Sequence, residues 1–233
     1  MKKSYLKFPL TSFLILVICT SMEEINAQDW PNLDRFADEN AKLDAPSPYE
    51  NRVVFMGNSI TIGWINKVPE FFEGKPFINR GIGGQTTPQM LIRFRQDVVD
   101  LQPKVVVILA GTNDIAGNTG PSTLKMIADN IFSMAEIAES NGIKVVVSSV
   151  IPVFDYPWKS GLEPAQKIVH VNTLLKEYAD ANGHVYLDYF SAMADNKNGL
   201  RADLGDDGVH PNKKGYAIMA PLAEAAIKEA LEE

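Results

Sequence analysis

The amino-acid sequence predicts a three-layer α/β/α sandwich around a flavodoxin-like, five-stranded parallel sheet. Three observations predict it: five short apolar runs, longer amphipathic stretches between them, and turn residues where one gives way to the next. Strand and helix in regular alternation imply parallel strands joined by right-handed crossovers. Such strands are covered by helices on both faces, so they read as continuous apolar runs rather than alternating ones.

In chain order, the first run is Val53-Val54-Phe55-Met56, closed by Gly57. Pro76-Phe77-Ile78-Asn79 is a second and weaker one. Val105 to Ala110 is the third, closed by Gly111; Val145-Val146-Val147 is the fourth and Val185-Tyr186-Leu187 the fifth. Between them, Pro88 to Leu101 sets Leu91, Phe94 and Val98 on one helical stripe. Pro121 to Ser140 carries Leu124, Ile127, Ile131, Met134 and Ile137 at helical spacing and stops at Asn141-Gly142. Pro164 to Ala181 ends the same way at Asn182-Gly183, and a last helix starts near Pro211 and runs through Ile218, Leu222 and Ile227.

A chain of 233 residues suits one such domain, expected over residues 51–233. Residues 28–50, rich in Asp, Asn and Pro, read as an irregular lead-in with one short helix. Residues 1–27 read as a secretory signal peptide: Lys2, Lys3 and Lys7, then an apolar stretch from Phe13 to Cys19, then Ile25-Asn26-Ala27 for cleavage. That stretch is shorter than the roughly 20 residues a membrane-spanning helix needs. The expectation is therefore an exported protein, periplasmic or secreted, with no stable membrane insertion after cleavage. Reading Cys19 as a lipid-anchored cysteine is disfavoured by the bulky Ile18 before it.

Cys19 is also the single cysteine. A mature chain beginning at Gln28 has none, which excludes disulfides, thiol nucleophiles and cysteine-bound metals. A net charge of −7 without any block of like charge argues against non-specific nucleic-acid binding, which needs a basic stripe. The apolar fraction of 45% and charged fraction of 22% are those of an ordinary soluble globular protein.

In an open parallel sheet the ligand site lies beyond the carboxyl ends of the strands. There the sequence places Gly57-Asn58-Ser59, then Gly81-Ile82-Gly83-Gly84-Gln85-Thr86, then Gly111-Thr112-Asn113-Asp114, and, before the last helix, Asp207-Gly208-Val209-His210-Pro211. Of the three histidines, His170 falls inside an amphipathic helix and His184 opens a strand after an Asn-Gly turn. His210 alone has a carboxylate three residues earlier across a glycine. A carboxylate on one ring nitrogen fixes the tautomer and leaves the other nitrogen free to take a proton. Asp207 could equally cap the last helix, and Ser59, between strand and helix, could be an ordinary N-cap.

These four stretches, Gly57 to Thr61, Asn79 to Thr87, Gly111 to Asp114 and Asp207 to Pro211, resemble the ordered motif blocks of the SGNH (GDSL-like) hydrolase family and span nearly the whole mature chain. The resemblance implies a serine ester hydrolase. Ser59 is its nucleophile, His210 its base, Asp207 the orienting acid, and Ser59, Gly84 and Asn113 supply the oxyanion hole, with a slip of one residue between Gly83 and Gly84 left open. Two positions depart from the pattern: Asn58 and Gln85 stand where the family often has aspartate. Activity is not put in doubt by either, but Asn58 lacks the charge of an aspartate.

No cofactor or metal is implied. A P-loop is absent, Thr86 stands where a dinucleotide fingerprint needs its third glycine, and there is no His-Glu-x-x-His pattern. The expected partner is a small-molecule or glycan ester. The loop Pro152 to Lys159 supplies Tyr156 and Trp158 as candidates to pack against substrate, or simply to pack the loop itself. Two other functions compete: a thioesterase or lysophospholipase acting on longer acyl chains, and a non-catalytic carbohydrate-binding protein on the same fold.

Overall fold

The computed structural model describes residues 29–232. The expected signal peptide and its cleavage point lie outside the described residues. Five strands, β1 (Val53–Gly57), β2 (Phe77–Gly81), β3 (Val105–Leu109), β4 (Lys144–Ser148) and β5 (Val185–Leu187), form one sheet in the order β2-β1-β3-β4-β5. Every pairing is parallel. The helices are α1 (Ala37–Asn40), α2 (Ser59–Lys67), α3 (Thr87–Asp97), α4 (Thr112–Ile115), α5 (Leu124–Ser140), α6 (Pro164–Asn182), α7 (Tyr189–Met193) and α8 (Lys213–Glu232). No described helix is long and apolar enough to cross a membrane.

The continuous apolar runs have the expected cause. Alternate residues of each strand point to opposite faces, and both faces are covered. Val54, Met56, Val106, Ile108 and Val147 enter one core with Phe94 of α3, Ile131 of α5 and Val171 of α6. Val53, Phe55, Val105, Val107 and Val146 enter the other with Trp64 of α2 and Met219 of α8. Burial of each large apolar side chain contributes about 1.5–3 kcal/mol, so these two cores rather than helix propensity hold the layers together.

Three helix starts and stops differ from the sequence expectation, each for a local reason. The stretch 88–101 is not one helix: α3 ends at Asp97, Val98 leaves helical geometry, and a 3₁₀ turn Val99–Leu101 follows, burying Val98, Val99 and Leu101. Helix α5 begins at Leu124 rather than Pro121 because the Thr123 hydroxyl accepts the Met126 N–H at 3.1 Å. The last helix starts at Lys213, not near Pro211: the Asn212 side chain accepts from the N–H groups of Lys214 and Gly215 (2.9 and 3.1 Å). Pro211 pairs with Gly205 in an isolated bridge instead.

The lead-in is irregular with short helical turns, Leu33–Phe36 and α1, and it is fastened down. Gln85, Gln89 and Gln96 donate through Nε2 to the carbonyls of Pro31, Trp30 and Leu33 at 2.7, 2.6 and 2.6 Å. Below them Arg93 is wholly buried. It pairs with Asp97 (2.9 Å), and donates to Gln85 Oε1 (2.6 Å) and to the carbonyls of Gly57 (3.1 Å) and Arg80 (2.9 Å). One guanidinium thus ties the ends of β1 and β2 to the loop that follows β2.

Candidate active site

Ser59 is the first residue of α2, directly beyond β1. The capping duty that a serine there could perform falls to Asn58, whose Oδ1 accepts the Ile60 N–H at 2.9 Å. The Ser59 hydroxyl is left to face His210, and the Ser59 Oγ to His210 Nε2 distance is 2.9 Å. His210 Nδ1 in turn lies 2.7 Å from Asp207 Oδ2. An ionised carboxylate only accepts, so Nδ1 carries the ring proton and Nε2 is the acceptor facing the Ser59 hydroxyl.

The chain around Asp207 is shaped for this. Asp207 Oδ1 accepts the N–H groups of His210 (2.7 Å) and Val209 (2.9 Å), and Gly208 between them has φ +77°, which suits glycine. Asp207 therefore folds its own loop around His210 and does not cap α8. Val209 is buried and anchors the loop. Burial pushes the Asp207 carboxyl up, but donation from the His210 backbone, the His210 ring and the Val209 backbone outweighs it and holds the group below its usual value.

The other predicted donors lie beyond the carboxyl ends of the two strands that flank β1, Gly84 in the loop after β2 and Asn113 on α4 after β3. Among the described residues neither the Ser59 nor the Gly84 backbone N–H meets a hydrogen-bond acceptor. The Gly83 N–H is also without one; Gly84 is distinguished by a left-handed backbone at φ +76° and by a carbonyl that accepts from Asn118 Nδ2 at 3.0 Å. A Cβ at Gly84 would find nothing closer than Asn118 Nδ2 at 3.8 Å, so backbone conformation rather than space demands glycine. Asn113 is buried on α4 and gives one amide hydrogen to the Gln85 carbonyl at 2.9 Å; an NH₂ group has a second.

The two departures from the motif pattern have distinct consequences. Gln85 uses both ends of its amide, donating to Pro31 and accepting from Arg93, which a carboxylate with no donor could not do. Asn58 makes its backbone cap but leaves its Nδ2 as a buried donor with no partner among the described residues, a cost of about 1–3 kcal/mol.

The two aromatic candidates separate. Tyr156 is fully buried, and its hydroxyl donates to the Thr112 carbonyl at 2.8 Å, so it packs the loop and offers no surface to a ligand. Burial pushes that hydroxyl up to about 12. Trp158, two residues on, is 51% exposed, with its ring centroid 6.1 Å from that of His210. On the same loop, Phe154 is 58% exposed and lines a cleft of about 530 Å³ with Asp155, Glu163, Gln166 and Lys197.

Fold and site together define a class, the carboxylic ester hydrolases built on a five-stranded parallel sheet. The chain belongs to the GDSL-like lipase/acylhydrolase family, whose model matches residues 55–218. It is similar to a candidate acylhydrolase of Bacteroides fragilis at 46% identity and a TM-score of 0.85, covering 87% of this chain and 98% of that one. A GDSL-like lipase of Bacteroides thetaiotaomicron is similar to the same degree, at 46% identity and a TM-score of 0.84 over 86% and 98%. An acetylxylan esterase of Xylanibacter ruminicola shares 26% identity over 222 residues, 78% of this chain and 45% of that protein. The chain spans less than half the length of the curated relatives it matches.

Proposed function

We propose that this chain is an exported serine esterase that removes short acyl groups, acetyl foremost, from a glycan. The observation that carries the proposal is the unbroken line Ser59 Oγ–His210 Nε2 at 2.9 Å and His210 Nδ1–Asp207 at 2.7 Å, together with the Ser59 and Gly84 backbone N–H groups, which meet no acceptor among the described residues.

Ser59 Oγ attacks the ester carbonyl carbon while His210 Nε2 takes the hydroxyl proton. The carbonyl oxygen becomes an oxyanion, held by the Ser59 and Gly84 N–H groups and by the Asn113 amide. The bond to the alcohol oxygen then breaks, and His210 returns the proton to that oxygen. Water attacks the acyl-Ser59 ester with His210 again as base, and the acid leaves as Ser59 recovers its proton. Asp207 stays ionised throughout and stabilises the imidazolium. Each oxyanion donor is worth about 10²–10³ in rate.

The substrate class rests on three supports. The leading segment, 1–27, has the pattern of an export signal, an acetylxylan esterase is among the relatives, and the loop beside His210 exposes Trp158 and Phe154. An exposed ring next to amide and carboxylate side chains suits a sugar, whose C–H face is apolar and whose rim is hydroxylated. The discriminating assay compares p-nitrophenyl acetate, butyrate and octanoate with acetylated xylan, for wild type and Ser59→Ala. Activity falling steeply from acetate to octanoate, and lost in Ser59→Ala, is expected. A preference for octanoate would replace the glycan reading by a long-chain acylhydrolase, and no difference between the proteins would remove Ser59 from its role. Trp158→Ala is expected to raise KM for acetylated xylooligosaccharides several-fold and leave p-nitrophenyl acetate unchanged; equal turnover of every acetylated sugar would end the aromatic-platform idea.

A further inference from the structure

Gly84 poses a mechanical problem. A donor N–H that must hold its direction to a few tenths of an ångström belongs to a glycine, whose φ and ψ no side chain restrains. The loop is also exposed at Gly83 and Gly84, so no core packing grips it there. Arg93 and the Pro31 carbonyl hold the Gln85 side chain, and the backbone and hydroxyls of the loop are gripped by one turn, residues 113–119, which leads out of β3 through α4.

Four consecutive residues of the glycine loop each have a separate partner on that turn. The Gly84 carbonyl accepts from Asn118 Nδ2 at 3.0 Å. The Gln85 carbonyl accepts from Asn113 Nδ2 at 2.9 Å. The Thr86 and Thr119 hydroxyls pair at 3.0 Å. Asp114 takes the Thr87 N–H on both oxygens at 3.0 Å and the Thr87 hydroxyl at 2.6 Å, closing the first turn of α3. The turn is itself closed by the Asn118 N–H on the Asn113 carbonyl at 3.0 Å, and Lys159, beside Trp158, holds its Ala116 carbonyl at 2.8 Å.

We infer that the 113–119 turn is a template that sets the direction of the Gly84 N–H, and that Asn118 is its positioning residue for ester hydrolysis. The carbonyl of Gly84 and its N–H are separated only by the two torsions of Gly84, so anchoring the carbonyl restrains the donor. Anchoring the next two residues fixes the frame against which those torsions are measured. Asn118 is the member nearest the donor and the most readily tested. It is exposed, and its side chain has no other partner among the described residues. Its amide acts through Gly84 and touches no reacting atom.

This rests on the proposed role of Gly84 in the Ser59 mechanism, and the test keeps the two apart. Asn118→Ala, Asn118→Asp and Ser59→Ala are assayed on p-nitrophenyl acetate, with thermal melts of each. Asn118→Asp preserves the shape but replaces a donor to the Gly84 carbonyl by an ionised acceptor. The inference predicts that both Asn118 variants melt as the wild type does and lose about 10-fold in kcat with KM within two-fold, a part of the ~10² that a misplacement of about 1 Å costs. It predicts Asn118→Asp to be at least as impaired as Asn118→Ala. A kcat within two-fold of wild type for both, with Ser59→Ala inactive, overturns the template and leaves the mechanism standing. Full activity in Ser59→Ala overturns both.

Discussion

The two halves of the site are built in opposite ways. The proposed proton-transfer line, Ser59–His210–Asp207, draws on residues 151 positions apart and meets solvent: the Asp207 and His210 side chains are each 40% exposed. Apart from the Ser59 N–H, the proposed oxyanion wall is assembled from 84–87 and 113–119, where Gln85, Thr86, Thr87, Asn113 and Asp114 are buried. The contrast fits the tasks. A base must take and return protons while substrate and alcohol come and go, whereas donors aimed at a developing charge act best when nothing has to reorganise. The soft half is held by one loop, residues 205–211, and the stiff half by four parallel tethers.

The largest expected effect falls on the soft half. Asp207→Asn keeps an acceptor for the His210 and Val209 N–H groups, so the loop should persist. It removes the charge that fixes the ring tautomer, and kcat is expected to fall by about 10²–10⁴ with little change in melting temperature. A loss below ten-fold would mean the His210 ring is oriented by something else. Next comes the stiff half: Asn113→Ala deletes an amide and leaves the buried Gln85 carbonyl unpaired, so about 10²–10³ in kcat should go together with about 1–3 kcal/mol of stability. Loss of stability without loss of kcat would reduce Asn113 to a structural tether.

The third effect is one of stability against pH rather than of turnover. Burial pushes the Asp114 carboxyl up to about 6 from 3.8, and donation from Thr87 offsets this only in part. The neighbours facing it are Thr87 of α3, which Asn130 of α5 also bonds, and the Tyr156 hydroxyl, which is neutral in this range; among the described residues no cation contributes. Between those two values the folded protein holds a proton that the unfolded chain releases, so stability falls as pH rises through that window. Asp114→Asn removes the slope. Relative to wild type, the variant should gain on the order of 3 kcal/mol between pH 3 and pH 7, read from urea unfolding at each pH. A pH-independent difference would show the carboxyl to be unperturbed.

How legible this was in the sequence varied by residue. The five strands were legible because burial on both faces favours continuous apolar runs, and their bounds fell within one residue at each end except at the weaker Pro76–Asn79 run, where β2 continues through Arg80 and Gly81, whose side chains carry no apolar signal. Helix ends were less so, because Thr123 and Asn212 outcompete the prolines near them for the capping position. Asp207 and His210 were found by their three-residue offset across Gly208, which geometry converts directly into a contact. Ser59 looked like a cap until Asn58 took that duty. Tyr156 and Trp158 could not be separated from sequence, for residues two apart in a tight turn have no fixed periodicity of burial. Asn118 gave no signal at all, and Asp114, though inside the third motif block, was given no role: their partners Gly84 and Thr87 lie 34 and 27 residues away, and only the finished sheet brings the two turns together.

In the proposed reaction Ser59 is the nucleophile and His210 activates it. The most direct measurement is covalent labelling with a p-nitrophenyl phosphonate ester, followed by intact mass and peptide mapping. The phosphorus should attach once, at Ser59, with release of one p-nitrophenolate. Labelling should be abolished in Ser59→Ala and slowed by orders of magnitude in His210→Ala. A wild-type protein that stays unmodified, or a label that maps elsewhere and survives in Ser59→Ala, would rule Ser59 out as the nucleophile.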